Sequence, residues 1–210
     1  MKKIILFLMV ICSVFCFYGC NLKLQQLTDN ISELQTTYFL YEDDNYSISM
    51  ISGIREKEYI LDGHHTENIN YCVVMIEQTT FDTIDNINLR VNGNDYTASP
   101  LLNPYNNNYV FDFEMAVVKQ SIVMLSFCDK FFTLTNIMQD LKYSHIDCLK
   151  DLIKSHKIDY YFQNNNFSGE IFVRVIKLKE FDAIYYQILF VDKNSNAKQF
   201  LISPNTLEYV

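Results

Sequence analysis

The chain has 210 residues, a formal net charge of −8 and 49% hydrophobic residues, with 15 Tyr, 16 Phe and no Trp. An acidic surface repels phosphate backbones, so nucleic-acid binding is not expected. Only 5 Gly are present, too few for a glycine-rich loop that cradles a phosphate or cofactor, and no cofactor is expected.

Lys2 and Lys3 open the chain, Ile4 to Tyr18 is apolar apart from Ser13, and Gly19-Cys20 closes the run before the polar stretch from Asn21. This is the layout of a secretory signal. As a helix the run would span only about 22 Å, short of the ~30 Å hydrocarbon core, so it suits a cleaved signal better than a permanent span. Its Gly19-Cys20 ending resembles the lipobox of bacterial lipoproteins, with Phe17 and Tyr18 departing from the usual residues at those positions. The resemblance implies a signal peptide over residues 1–19 and a diacylglyceryl group on the Cys20 thiol. It also implies an extracytoplasmic protein held to the membrane by lipid. The acidic charge offers no polybasic attraction to an anionic membrane, so the lipid is expected to hold the protein alone.

Residues 20–36 are expected to form a lipidated tether or short helix. Leu24, Leu27, Ile31 and Leu34 recur at heptad-like spacing, too briefly for a coiled coil. The stripe either docks on the following domain or belongs to a partly helical stalk.

Residues 37–136 carry a β pattern. Strands are expected at 38–41, 46–51, 57–61, 71–77, 87–91, 96–99, 109–118 and 122–134. Alternation is clearest where Tyr109, Phe111, Phe113 and Met115 share one face and Asp112 and Glu114 the other. Asn92-Gly93 fits a type I′ hairpin turn, because both positions need positive φ. Such a series of short strands predicts an antiparallel, Ig-like β-sandwich, with a small barrel as the alternative.

From 137 to 157 the period changes. Met138, Leu141, His145, Cys148, Leu149, Leu152, Ile153 and His156 form a stripe at helical spacing, opposite Lys142, Asp147, Lys150, Asp151 and Lys154. A helix is expected there, with Asp140 near its start. Strands at 171–178, 183–191 and 198–202 follow, the last two joined by the turn Asp192-Lys193-Asn194-Ser195-Asn196. A helix plus a three-stranded meander makes residues 137–210 a small α+β unit. Its end, from Phe190-Val191-Asp192-Lys193 to Phe200-Leu201-Ile202-Ser203-Pro204-Asn205-Thr206, resembles the tail of PepSY modules, without their usual turn glycines. Those modules occur in secreted and membrane-attached bacterial proteins.

Cys12 and Cys16 lie within the signal, leaving Cys72, Cys128 and Cys148 beyond the lipid-bearing Cys20. Cys72 and Cys128 sit in apolar runs, which favours buried free thiols over a disulfide.

Several clusters could carry chemistry. His64, His65 and Glu67 offer zinc or copper ligands, but neighbouring side chains point apart in an extended segment and a solvated loop is favoured. His145 and Cys148 stand at i and i+3 with His156 further on, yet the stripe they share should meet the core. Glu42-Asp43-Asp44-Asn45 is acidic enough for Ca²⁺ but lacks the EF-hand spacing. Glu77, Asp112, Glu114 and Asp129 show no spacing that singles out a catalytic pair. Tyr105 beside Asn106, Asn107 and Asn108, and Tyr160-Tyr161-Phe162, are aromatic clusters able to stack on sugars or grip a peptide. The sequons at Asn30, Asn45 and Asn166 would matter only in a eukaryotic secretory pathway. The resulting expectation is a non-enzymatic binding or structural module at the cell envelope. The alternative is an envelope enzyme or metal handler using His64 and His65. A third is a regulator acting on a partner enzyme through the C-terminal unit.

Overall fold

The computed structural model describes residues 22–58, 66–79, 83–102, 108–163, 166–178 and 180–210. It is mainly β and antiparallel, and it divides into two compact units. Among the described residues the β unit holds 33–58 and 66–141, and the α+β unit holds 22–32 and 142–210.

The β unit is built from nine strands: β1 (Ile31–Glu42, its first two residues assigned to the other unit), β2 (Tyr46–Glu56), β3 (Asn68–Gln78), β4 (Ile87–Val91), β5 (Asn94–Ala98), β6 (Leu101–Leu102), β7 (Tyr109–Phe113), β8 (Val123–Phe127) and β9 (Lys130–Asn136). They follow one hydrogen-bonded path, β5-β4-β8-β9-β1-β2-β3-β7-β6. The period-two pattern is realised in burial. Tyr46, Ile48 and Met50 of β2, Cys72, Val74 and Ile76 of β3, and Phe111 and Phe113 of β7 point inward. Inward residues of β4, β8 and β9 (Leu89, Leu125 and Phe132 among them) join the same apolar cluster. The rings of Phe127 and Phe132 stack at 4.8 Å, and Tyr46 meets both edge-on.

Turns account for the ends of these strands. Asp43 Oδ1 accepts from the N–H groups of Asn45 and Tyr46 at 2.8 and 2.7 Å, while Oδ2 accepts from the Tyr41 hydroxyl. Those bonds hold the Asp43 carboxyl below the usual carboxylate range, the Tyr41 bond foremost. The acidic Glu42–Asn45 segment is thus a hairpin turn that uses its own carboxylate. Asn92 and Gly93 take φ of 51° and 88°, as the type I′ turn requires.

Two expected strands are corrected. The run 122–134 breaks into β8 and β9 at Cys128-Asp129, whose φ values of 47° and 57° form a second tight hairpin. The run 109–118 ends at Phe113, and beyond it the Val117 N–H donates at 3.2 Å to a side chain, Ser52 Oγ of β2, instead of to a strand backbone. Of the strand expected at 57–61, Lys57 and Glu58 form a bend, and 59–61 lie outside the described residues. Gly53 stands opposite the bulge between Gln35 and Thr37 of β1, and a Cβ there would lie 2.1 Å from the Leu34 carbonyl oxygen.

In the α+β unit, residues 22–29 form a helix, α1. It docks as part of this unit. Leu27 is fully buried, Gln26 Oε1 accepts from the Phe167 N–H at 2.9 Å, and the Asn30 carbonyl accepts from the Ile171 N–H at 3.0 Å. A tether running to residue 36 is therefore not observed, since β1 begins at Ile31. The second helix, α2 (His145–Lys154), is shorter than expected. Ser144 and Asp147 form a reciprocal capping box that fixes its start at Ser144, beyond the Asp140 expected there. Residues 137–140 form turns, and Met138 is buried there without a helix. At the other end His156 has left the helix with φ 57°.

A short 3₁₀ turn (Asp159–Tyr161) and the pair β10 (Phe162–Gln163) and β11 (Asn166–Phe167) lead to the meander β12 (Glu170–Leu178), β13 (Ala183–Val191) and β14 (Ala197–Ile202). Val173 pairs with Ile188, and Ile188 with Phe200. Cys148, Leu149, Leu152 and Ile153 of α2 are buried, as are Ile171, Val173, Val175, Tyr186, Ile188, Phe190 and Ile202 of the sheet. Leu149→Ala should cost about 2–5 kcal/mol through lost burial and a residual cavity. Lys150→Ala, on the exposed side, should stay within about 0.5 kcal/mol. Chemical denaturation of the two variants measures the difference, and equal small losses would remove α2 from the core.

Candidate functional site

The outward face of β5, β4, β8 and β9 is the candidate site in the β unit. Alternation sends Leu89, Val91, Val123, Leu125, Phe127, Phe132 and Leu134 into the core, so their neighbours face outward. Strand register arranges these in two rows. Thr97, Asn88, Ser126 and Phe131 lie side by side, and Asp95, Arg90, Met124 and Thr133 form the next row.

Phe131 is 76% exposed, although a ring of that size gains about 1.5–3 kcal/mol on burial. It borders a shallow recess with Asn88, Arg90, Met124 and Ser126, and a second recess with Asn86, Thr97, Cys128 and Asp129. Arg90 is fixed by a two-pronged bond to Asp95, Nε to Oδ1 at 2.7 Å and Nη2 to Oδ2 at 2.8 Å. That bond holds the Asp95 carboxyl below its usual range, with the Asn88 side chain adding a smaller contribution. The buried Oδ1 of Asn88 has no hydrogen-bond partner among the described residues. A buried acceptor left unmade costs about 1–3 kcal/mol, and this one is closed off from solvent, so what the recess opens to a ligand is the Phe131 ring with Arg90 and Ser126 along its edge. That arrangement suits a ligand with an apolar side and polar groups at its rim. The surface signal available in the sequence was the Phe131-Phe132 pair, because in a strand only one of two adjacent rings can enter the core.

The residues singled out from the sequence are dispersed. Cys20, His64, His65 and Tyr105 lie outside the described residues. Glu67 is exposed, and its carbonyl accepts from the Lys57 N–H. Tyr160 and Tyr161 divide: Tyr160 is 70% exposed and Tyr161 is buried, their rings meeting edge-on at 5.5 Å. Both border a small recess with Ser168, Asp192, Lys193 and Asn194. Asp192 is engaged in its own turn, accepting from Asn194 and Asn196, which keeps its carboxyl below the usual range. His145, Cys148 and His156 do not converge, since Cys148 is buried while His156 is exposed and paired with Asp159 at 2.7 Å. Asp112 pairs with Arg55 at 3.2 Å, and Glu77 accepts from Asn108. Among the described residues no group of three His, Cys, Asp or Glu side chains is placed to hold a metal ion.

Cys72, Cys128 and Cys148 are all free thiols. Burial pushes Cys72 and Cys148 up to about 12, which suppresses the reactive thiolate. Cys128 corrects the expectation of a core thiol: it occupies the β8–β9 turn, where its side chain is exposed. In the native protein iodoacetamide should therefore modify Cys128 far faster than Cys72 or Cys148. Peptide mapping by mass spectrometry reads the three rates, and comparable labelling of Cys72 would contradict its place in the core.

No protein-family model, curated protein or solved structure matches the chain.

Proposed function

We propose that this chain is a bacterial lipoprotein, anchored through Cys20, whose β unit is a non-enzymatic binding module at the cell envelope. The observation that carries the binding reading is the open Phe131 ring at the edge of a recess lined by Arg90, Met124 and Ser126. Exposed aromatic rings and convergent polar groups are where proteins place recognition, because removing the ring from water supplies affinity and the polar groups supply orientation. The two buried, suppressed thiols favour binding over thiol catalysis. For the scaffold we favour a nearly closed antiparallel barrel over an Ig-like sandwich, since β9 hydrogen-bonds to strands on both sides of the path.

The ligand class is a small polar molecule or peptide with one apolar side. Screening glycan and peptide arrays with the full chain should give binders whose affinity falls about tenfold or more in Phe131→Ala, a loss of about 1.4 kcal/mol. Stability should change little, as the ring is exposed. Binders indifferent to Phe131→Ala would move the site elsewhere.

The anchor has its own test. Cys20→Ser should release the protein from membranes or leave it unprocessed at precursor size. A variant that fractionates with membranes at the size of the processed wild type would end the lipid-anchor reading.

A further inference from the structure

The net charge of −8 conceals an uneven distribution. Residues 33–58 and 66–141 hold fifteen acidic and five basic side chains, whereas residues 22–32 and 142–210 hold nine and ten. The α+β unit is thus near neutral, and part of its surface is basic. Lys154 stands in the last turn of α2, and His156 and Lys157 follow directly, all exposed. The ammonium of Lys198 donates to the Lys157 carbonyl at 3.2 Å. Lys23 of α1 reaches the same neighbourhood, because Asp159 binds both Lys23 at 3.1 Å and His156 at 2.7 Å. Two acids lie among these four lysines and the histidine: Asp159, and Asp151, which accepts from the Tyr209 hydroxyl while the Lys157 ammonium stands 3.0 Å over the Tyr209 ring. The exposed ring of Tyr160 is the next residue after Asp159.

We propose that Lys23, Lys154, Lys157 and Lys198 form a docking surface for the anionic headgroups of the membrane that carries the anchor. The proposal rests on the lipoprotein reading of Cys20. Lys23 is three residues from Cys20, and three extended residues reach at most about 10 Å. That is about one Debye length at 0.1 M salt, so a lipid on Cys20 would hold Lys23 where the surface potential of acidic lipids is still felt. Charge complementarity selects this surface over the β unit, whose excess of carboxylates an anionic bilayer repels. Tyr160 adds a ring of the type that settles at headgroup level. This proposal departs from the expectation that lipid alone holds the protein, which took the whole-chain charge and so averaged a basic surface with an acidic unit.

The full chain, isolated from membranes and reconstituted into vesicles, tests this. One set of vesicles is phosphatidylcholine alone, and the other is phosphatidylcholine mixed with phosphatidylglycerol. Acetylation rates of individual lysines are read by mass spectrometry. Lys154, Lys157 and Lys198 should be protected about threefold or more by the anionic vesicles relative to the neutral ones, with protection lost near 1 M salt, where the Debye length is about 3 Å. Lys57 and Lys119, exposed in the β unit, should react equally in both. Equal rates for the three patch lysines in both vesicle types would overturn the proposal, and so would equal protection of Lys57 and Lys119. The mass of the N-terminal peptide from the same digest reports the lipid on Cys20. An unmodified Cys20 with patch protection retained would sink the lipoprotein reading while leaving the docking surface standing.

Discussion

Backbone pairing along β9 holds the β unit together. Lys130 to Leu134 pair with β8, while Thr135 and Asn136 pair with β1. Seven residues thus carry the sheet from one run of strands to the other, with two residue pairs on the β1 side. Asn136 secures the crossing. Its Nδ2 donates to the Lys119 carbonyl at 2.8 Å and its Oδ1 accepts from the Met138 N–H at 2.9 Å. The stacked Phe127 and Phe132 rings lie on either side of the β8–β9 turn. The outward position of Phe131 follows, because fixing Phe132 in the core sends its neighbour to the opposite face. The candidate binding face is in that sense a by-product of how the core closes.

Much of this was legible in the residues. The strand Ala183–Val191 lies where the sequence placed it, and the alternation read from Tyr109 holds through Phe113, where the strand stops short of the expected 118. The stripe Cys148, Leu149, Leu152 and Ile153 was legible at helical spacing. The ends of elements were harder. An apolar stripe does not say where a helix begins, and Met138 and Leu141 extended it backwards until the capping geometry at Ser144 overruled them. The run from Ile122 to Leu134 hid a turn because Cys128 looks apolar and Asp129 carried the only turn signal.

The site was less legible than the fold. Tyr160 was recognisable as a loop aromatic, but adjacency in sequence gave no way to see that Tyr161 would be buried against Phe190, 5.3 Å between ring centroids. Asn88, Ser126 and Phe131 come from three strands and share a row only through register. Spacing along the chain carries no trace of such a row. The lysine cluster was hidden in the same way, since Lys23 and Lys198 are brought near Asp159 and Lys157 by tertiary packing.

Gly53 shows how narrowly one position is constrained. Its Cα faces the Leu34 carbonyl so closely that even a methyl group would collide with backbone, which cannot rotate away as a side chain could. Random mutagenesis of this chain would therefore find position 53 intolerant of every other residue, alanine included. The intolerance would have nothing to do with ligand or membrane. A functional screen would score position 53 alongside true contact residues, and only a parallel measure of folded protein would tell the two apart.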